Sequence, residues 1–196
     1  MKLILVRHAQ SLDNAKLSVV GGGGSGLSER GKRQASELAK RLADEKIAAV
    51  YSSPLQRALE TAEAAAKPIE VAEELREINL GRLEGLSHED LEKRFPGVIE
   101  RMFENPRYRV PGGETILEVH DRTMPFVNKL KKKHSNETIA LVAHNVVNRV
   151  IIASLLGLSL GHCRNVKQKN AAVTVFYLQK GRKQLYELDN TIHFTR

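Results

Sequence analysis

Apolar residues recur along this chain in two rhythms. Unbroken runs at residues 3–6 and 138–143 are too short for a helix and suit strands buried on both faces. Residues 47–51 and about 69–72 suit two further strands. Between them, Ala35, Leu38, Ala39 and Leu42 repeat at helical spacing behind Ser28 as cap, with Glu29 in the first turn. Ser53 and Pro54 predict another helix start, and Ser87 a third, ended by Pro96-Gly97. Glu114 and Thr115 open a long amphipathic helix to about His134, where Pro125 is expected to introduce a kink. Residues 146–156 suit a helix closed by Gly157, and 172–178 with 184–188 predict a hairpin. This alternation predicts an α/β fold: a mainly parallel central sheet with helices on both faces, a three-layer sandwich in a single domain over residues 1–196. Residues about 86–113 interrupt the alternation and predict a helical, lid-like insertion.

The polar residues that end these strands change the picture. The first run stops at Arg7-His8, followed by Gln10, Ser11 and Asn14; the second is followed by Arg57; the fourth stops at His144-Asn145. In open α/β sheets, ligands bind at the carboxyl edge of the strands. An arginine or histidine there is unremarkable singly. Arg7, His8, Arg57 and His144 would all meet on one edge of one sheet, and two arginines with two histidines can neutralise a phosphoryl group while one histidine attacks it.

Two other stretches carry candidate groups. Five glycines within residues 21–26 either turn backbone N–H groups toward an anion or serve as a flexible connector; no nucleotide P-loop pattern is present. Gly21 is expected to touch the substrate. Residues 73–85 mix acids with apolar side chains, and a carboxylate held among Ile78, Leu80 and Leu83 suits a general acid.

Composition narrows the classes. The net charge of +8, from 31 Lys+Arg against 23 Asp+Glu, favours anionic partners. The densest basic run, residues 129–134, closes a helix, where cations complement the dipole. Aromatic residues make up 5% and tryptophan is absent, so base-stacking platforms are scarce and nucleic acid is not the expected partner. A single cysteine, Cys163, excludes a disulfide within the chain and a cysteine-based metal cluster. No apolar run approaches the ~18 residues of a membrane span. With Met1-Lys2 leading straight into a strand, a cytoplasmic protein without a membrane partner is expected. His88, His120, His134 and His162 suit solvated or capping roles, and His193 lies in the tail. An exposed edge strand near the C-terminus would allow a homodimer.

Arg7-His8-Ala9-Gln10-Ser11, running on to Asn14, resembles the RHG signature of the histidine phosphatase superfamily, the phosphoglycerate mutase-like group. The resemblance continues through Leu27-Ser28-Glu29-Arg30-Gly31, Tyr51-Ser52-Ser53-Pro54-Leu55-Gln56-Arg57-Ala58, Glu77-Ile78-Asn79-Leu80-Gly81 and Leu141-Val142-Ala143-His144, nearly the whole chain in order. It implies a phosphoglycerate mutase-like fold and a phosphohistidine intermediate on His8. Arg7, Arg57 and His144 would bind the phosphoryl oxygens and stabilise the transition state, and Asn14 would add a hydrogen bond. Glu77 would protonate the leaving alkoxide and then deprotonate water, with Glu84 as second choice. Asn145 would join the substrate contacts. No metal is implied, because arginines supply the charge.

The family usually has glycine where Ala9 stands and often where Asn145 stands. Alanine fits if the backbone avoids positive φ, and asparagine tolerates left-handed conformations. The expected partner is a small phosphorylated metabolite (phosphoserine, phosphoglycerate, α-ribazole phosphate or a sugar phosphate), with Arg107 and Arg109 of the lid meeting a second anionic group. Asn170-Ala171-Ala172 and the tail from Leu188 to His193 resemble the metal-independent phosphoserine phosphatases. Two alternatives stand beside hydrolysis. One is a mutase, the case in which 2,3-bisphosphoglycerate would be needed as phosphoryl primer and sole cofactor; the other is a non-catalytic phosphate-ester-binding protein. A 196-residue chain with one modest lid favours hydrolysis.

Overall fold

In the computed structural model, which describes residues 1–16 and 19–194, the two apolar runs pair side by side in the middle of a six-stranded sheet. In chain order the elements are β1 (Lys2–Arg7), α1 (Leu12–Ala15), α2 (Glu29–Leu42), β2 (Ile47–Ser52), α3 (Gln56–Ala62), β3 (Ile69–Val71), α4 (His88–Arg94), α5 (Val98–Glu104), α6 (Ile116–Lys133), β4 (Thr138–Ala143), α7 (Asn145–Leu156), β5 (Val173–Gln179) and β6 (Arg182–Asn190). The strand order is β3-β2-β4-β1-β5-β6. The first four in that order are mutually parallel, and the β5–β6 hairpin adds to β1 in antiparallel fashion. The sheet is therefore mixed, with a parallel half that carries the strand ends of interest. β6 is an edge strand and leaves Tyr186 and Leu188 exposed.

The central strands read as continuous apolar runs because each face is covered. Leu3 and Leu5 of β1 and Ile139 and Leu141 of β4 join one buried cluster with Val119, Val127 and Leu130 of α6 and Val147 and Val150 of α7. Ile4, Val6, Ala140 and Val142 point the other way, against Leu38 and Leu42 of α2 and Ala58 and Ala62 of α3. Each fully buried Leu, Ile or Val contributes about 1.5–3 kcal/mol relative to exposure. A one-residue slip of β1 against β4 would exchange the two faces, so the packing sets the register. Leu91, Val98, Met102 and Phe103 of the insertion belong to the first cluster, which anchors it to the body.

Local signals place most helix starts. Ser28 Oγ accepts from the Gly31 N–H at α2, and Thr115 and Glu118 form a reciprocal capping box at α6. α6 continues for 18 residues with Pro125 inside it, and α7 closes at Gly157 with φ of 72°. The helix expected at Ser53-Pro54 begins later, at Gln56, with Leu55 at its cap position and no side-chain cap. Ser53 instead stays with the sheet, its N–H donating to Val142 O and its hydroxyl engaged by His144. Among the described residues, no helix is long and apolar enough to cross a membrane.

Gly31 shows how tightly α2 is docked. A Cβ there would lie 2.0 Å from the backbone oxygen of Gln10. That same oxygen accepts from the Ser28 N–H at 2.9 Å. Only glycine permits this approach between α2 and the loop after β1. Gly31→Ala is expected to destabilise the fold by about 1–3 kcal/mol, read as a lower urea midpoint with unchanged m-value.

Candidate active site

The site begins as an extension of the sheet. Arg7 is the register partner of Ala143, and the His8 N–H then donates to Ala143 O at 2.9 Å, one residue past the end of β1. His8 and His144 thus emerge side by side, with ring centroids 5.0 Å apart. The Ser53 N–H donates to Val142 O at 3.0 Å and brings the end of β2 to the same place. Arg57, in the first turn of α3, reaches in from there and is 1% exposed.

His8 is held in a defined protonation state. Its Nδ1 lies 2.7 Å from Ala9 O, and a carbonyl only accepts, so Nδ1 carries the proton and Nε2 keeps a lone pair. Burial, reinforced by the charges of Arg7 and Arg57, pushes its pKa well below the ordinary histidine value. The same holds for His144, through burial and then His8, Arg57 and Arg7. His144 Nε2 lies 2.7 Å from Ser53 Oγ, while its Nδ1 is buried without a partner.

The arginines are fixed by backbone carbonyls. Arg7 Nη1 donates to Gln168 O at 2.7 Å, and burial draws its pKa down to about 10. Arg57 donates from Nη2 to Gly21 O at 2.9 Å and from Nη1 to Gly23 O. The glycine run therefore presents oxygens to a cation, the reverse of the N–H cradle considered from sequence. Gly21 does not line the cavity, and a Cβ on it would lie 2.3 Å from Glu84 Oε1. Glu84 accepts from the N–H groups of Gly22 and Leu80, clamping the glycine run to the loop of residues 80–84. It too is absent from the cavity wall.

Glu77 sits at the start of α7. Its oxygens accept from the N–H groups of Ile78 at 3.0 Å, Val146 at 3.2 Å and Val147 at 3.4 Å. Arg122 and Thr123 of α6 grip the preceding loop through Glu74 O. Asn14 Oδ1 accepts from the Ser11 N–H and from Asn170 Nδ2, which leaves its own Nδ2 for the cavity. Asn170 Nδ2 also donates to His8 O at 3.0 Å.

These residues enclose a cavity of about 350 Å3 lined by Arg7, His8, Asn14, Arg57, Glu77 and Asn145. His144 stands behind His8, fully buried. Neither Ala9 nor Asn145 has a positive φ, so both replacements of glycine are free of backbone strain. Ala9 packs with Leu27 and Ala171, and its N–H donates to Thr61 Oγ1.

Several groups at the site carry little or no signal in the sequence. Arg149 lines the cavity one helical turn after Asn145, so the i, i+4 spacing within α7 was the available signal. His88, expected to be solvated or capping, is exposed but lines the cavity mouth. Asn170 and Ser53 gave no local signal for their contacts, which come from tertiary packing. The lid presents Leu91, Ile99, Met102 and Phe103 to the cavity. Its arginines lie elsewhere: Arg109 pairs with Glu118 and donates to Gly113 O, and Arg107 is exposed. His193 packs against Phe194, away from the cavity. Cys163 is buried, its thiol pKa pushed up to about 11, which keeps it protonated and unreactive.

Comparison with known proteins gives a consistent result. The model of the histidine phosphatase superfamily (branch 1) matches residues 3–191. Phosphoserine phosphatase 1 of Hydrogenobacter thermophilus is 37% identical over 200 residues, which cover 98% of this chain and 94% of that protein. The metal-independent phosphoserine phosphatase of Arabidopsis thaliana is 34% identical over 186 residues, covering 91% and 76% respectively. The solved structure of Bacillus stearothermophilus YhfR superposes with a TM-score of 0.91 at 30% identity, over 98% of each chain. By these matches, this chain belongs to the histidine phosphatase superfamily and is a histidine phosphatase, a hydrolase of phosphoric monoesters.

Proposed function

We propose that the protein hydrolyses a small phosphorylated metabolite without a metal, through a phosphohistidine on His8, with Glu77 as general acid and base. The observation that carries this reading is the tautomer of His8: Nδ1–H is tied to Ala9 O, and Nε2 keeps its lone pair among cations. Nε2 attacks phosphorus, the P–N bond forms, and the P–O bond to the leaving alkoxide breaks as Glu77 gives that oxygen its proton. Glu77, now a carboxylate, takes a proton from water; the hydroxide attacks phosphorus, and the P–N bond breaks to release phosphate and neutral His8. Arg7, Arg57 and the Asn14 amide serve the non-bridging oxygens, where preorganised charge is worth most in a buried site. His144 adds a donor if its neutral ring carries the proton on the unpaired Nδ1. Arginines thus supply the charge a metal would otherwise bring.

The cavity also favours a substrate class. Beyond the phosphoryl groups it offers the Arg149 cation, His88, and the buried, unpartnered Oδ1 of Asn145. Against the apolar wall of the lid, this set suits a short ester bearing one further anionic group and one donor. Phosphoserine has that composition, and two of the relatives carry phosphoserine phosphatase in their names.

His8→Ala is expected to lower turnover of p-nitrophenyl phosphate in excess EDTA by roughly 10³-fold or more. Equal rates in wild type and variant would remove His8 as nucleophile. A wild type that isomerises 3-phosphoglycerate and leaves esters intact would make the protein a mutase. In kcat/KM, which reports the phosphorylation step, Glu77→Gln is expected to cost about 10²–10⁴-fold on phosphoserine, and much less on p-nitrophenyl phosphate, whose leaving group needs no proton. Equal losses on both esters would contradict the acid role.

The neutrality of His8 makes a prediction about stability. The unfolded chain takes up a proton at the ordinary histidine pKa of about 6.5, while folded His8 and His144 stay neutral. The unfolded state then binds more protons, so stability is fully present above that pH and is lost as pH falls below it. Each histidine contributes a slope of about 1.4 kcal/mol per pH unit once the unfolded form is charged. In urea titrations, His8→Gln should flatten the acid slope by about that amount.

A further inference from the structure

A second cleft, of about 530 Å3, shares Arg7 and Arg149 with the catalytic cavity. Its other walls include Arg30 from α2 and Lys167 and Lys169 from the segment before β5, with Asp189 of β6 the one acidic side chain among the described residues. Among the described residues, five cations thus face one carboxylate, and that carboxylate is engaged: Asp189 Oδ1 accepts from the Lys169 backbone N–H at 2.6 Å. Arg41, Arg76, Arg109 and Arg122 elsewhere all pair with glutamates. Among the described residues, none of the five cations of the cleft forms an ion pair. The buried Nε atoms of Arg7 and Arg149 moreover have no hydrogen-bond partner among the described residues. A concave surface lined by one sign of charge concentrates counter-ions of the other.

We propose that this cleft binds a small multivalent oxyanion of the di- or triphosphate kind, and that the bound anion acts on catalysis through Arg7. The cleft's size suits such a group, and the spread of Arg30, Lys167 and Lys169 around its rim suits several phosphate oxygens at once. Arg7 already divides its donors between Gln168 O and the catalytic cavity. An anion on its other edge would draw positive charge away from the reacting phosphoryl group without competing for His8 Nε2. Inhibition would therefore be partial and mixed. The binding itself stands on the cleft alone; its effect on rate rests on the phosphatase reading.

The test uses inorganic tripolyphosphate and the full chain. With the catalytic cavity first saturated by orthovanadate, calorimetric titration should still show one tripolyphosphate per chain, with affinity falling as salt is raised. The triple variant Arg30→Gln, Lys167→Gln, Lys169→Gln, altered only at exposed positions, should keep its basal hydrolysis and bind about tenfold or more weakly. Tripolyphosphate should lower kcat of the wild type and leave kcat of the variant unchanged. A parallel titration with ADP distinguishes a free polyphosphate from a nucleoside-borne diphosphate as the source of the anion. Absence of binding to the vanadate-saturated protein, or equal affinity in wild type and variant, would overturn the proposal. Absence of ester hydrolysis by the wild type would count against the catalytic reading alone, since the titration still decides the cleft.

Discussion

The parallel pairing of β1 with β4 is the constraint on which the site depends. One hydrogen bond past the end of β1, from the His8 N–H to Ala143 O, carries the ladder into the loops and sets two imidazoles beside each other. That register is maintained by packing on both sheet faces, where alternate residues of each strand enter opposite clusters. The hydrophobic core and the catalytic geometry are consequently one problem. A shift in the first would displace the second.

Around those imidazoles the chain uses backbone oxygens and amides to position charge. Arg57 rests on the carbonyls of the glycine run, Arg7 on Gln168 O, and Glu77 on the first N–H groups of α7. Buried cations with no ion pair among the described residues are costly unless hydrogen-bonded, and the carbonyl contacts offset part of that cost without neutralising the charge. A carboxylate tied to either arginine would have weakened the site. The same economy of partners extends to the basic cleft that adjoins it through Arg7 and Arg149.

Much of this was legible in the sequence for a physical reason. Continuous apolar runs mark strands covered on both faces, and their ends in chain order bring Arg7-His8, Arg57 and His144 to one sheet edge. A candidate acid within residues 73–85 was legible from its apolar neighbours, but the choice of Glu77 came through the family resemblance, because a loop acid carries no periodic signal. The glycine run was legible as backbone free to turn toward a charged group, or as a connector, and not in its polarity: composition does not reveal whether N–H groups or carbonyls face inward. Asn170 contacts His8 from 162 residues away, and Arg107 and Arg109 turn from the cavity because Glu118 and solvent claim them. Such choices are made by tertiary packing, which local pattern does not encode. The helix start at Gln56 moved for the same reason, since Ser53 is held by His144 and the sheet.

The central claim is that His8 Nε2 carries the phosphoryl group between substrate and water. Rapid mixing with ³²P-labelled phosphoserine, quenched in alkali and followed by peptide mapping, tests it most directly. The expected result is an acid-labile, base-stable phosphoryl group on the peptide containing His8, formed within the first turnover and absent from His8→Ala. A label on another residue, or full turnover of substrate with no labelled enzyme at any time, would contradict it.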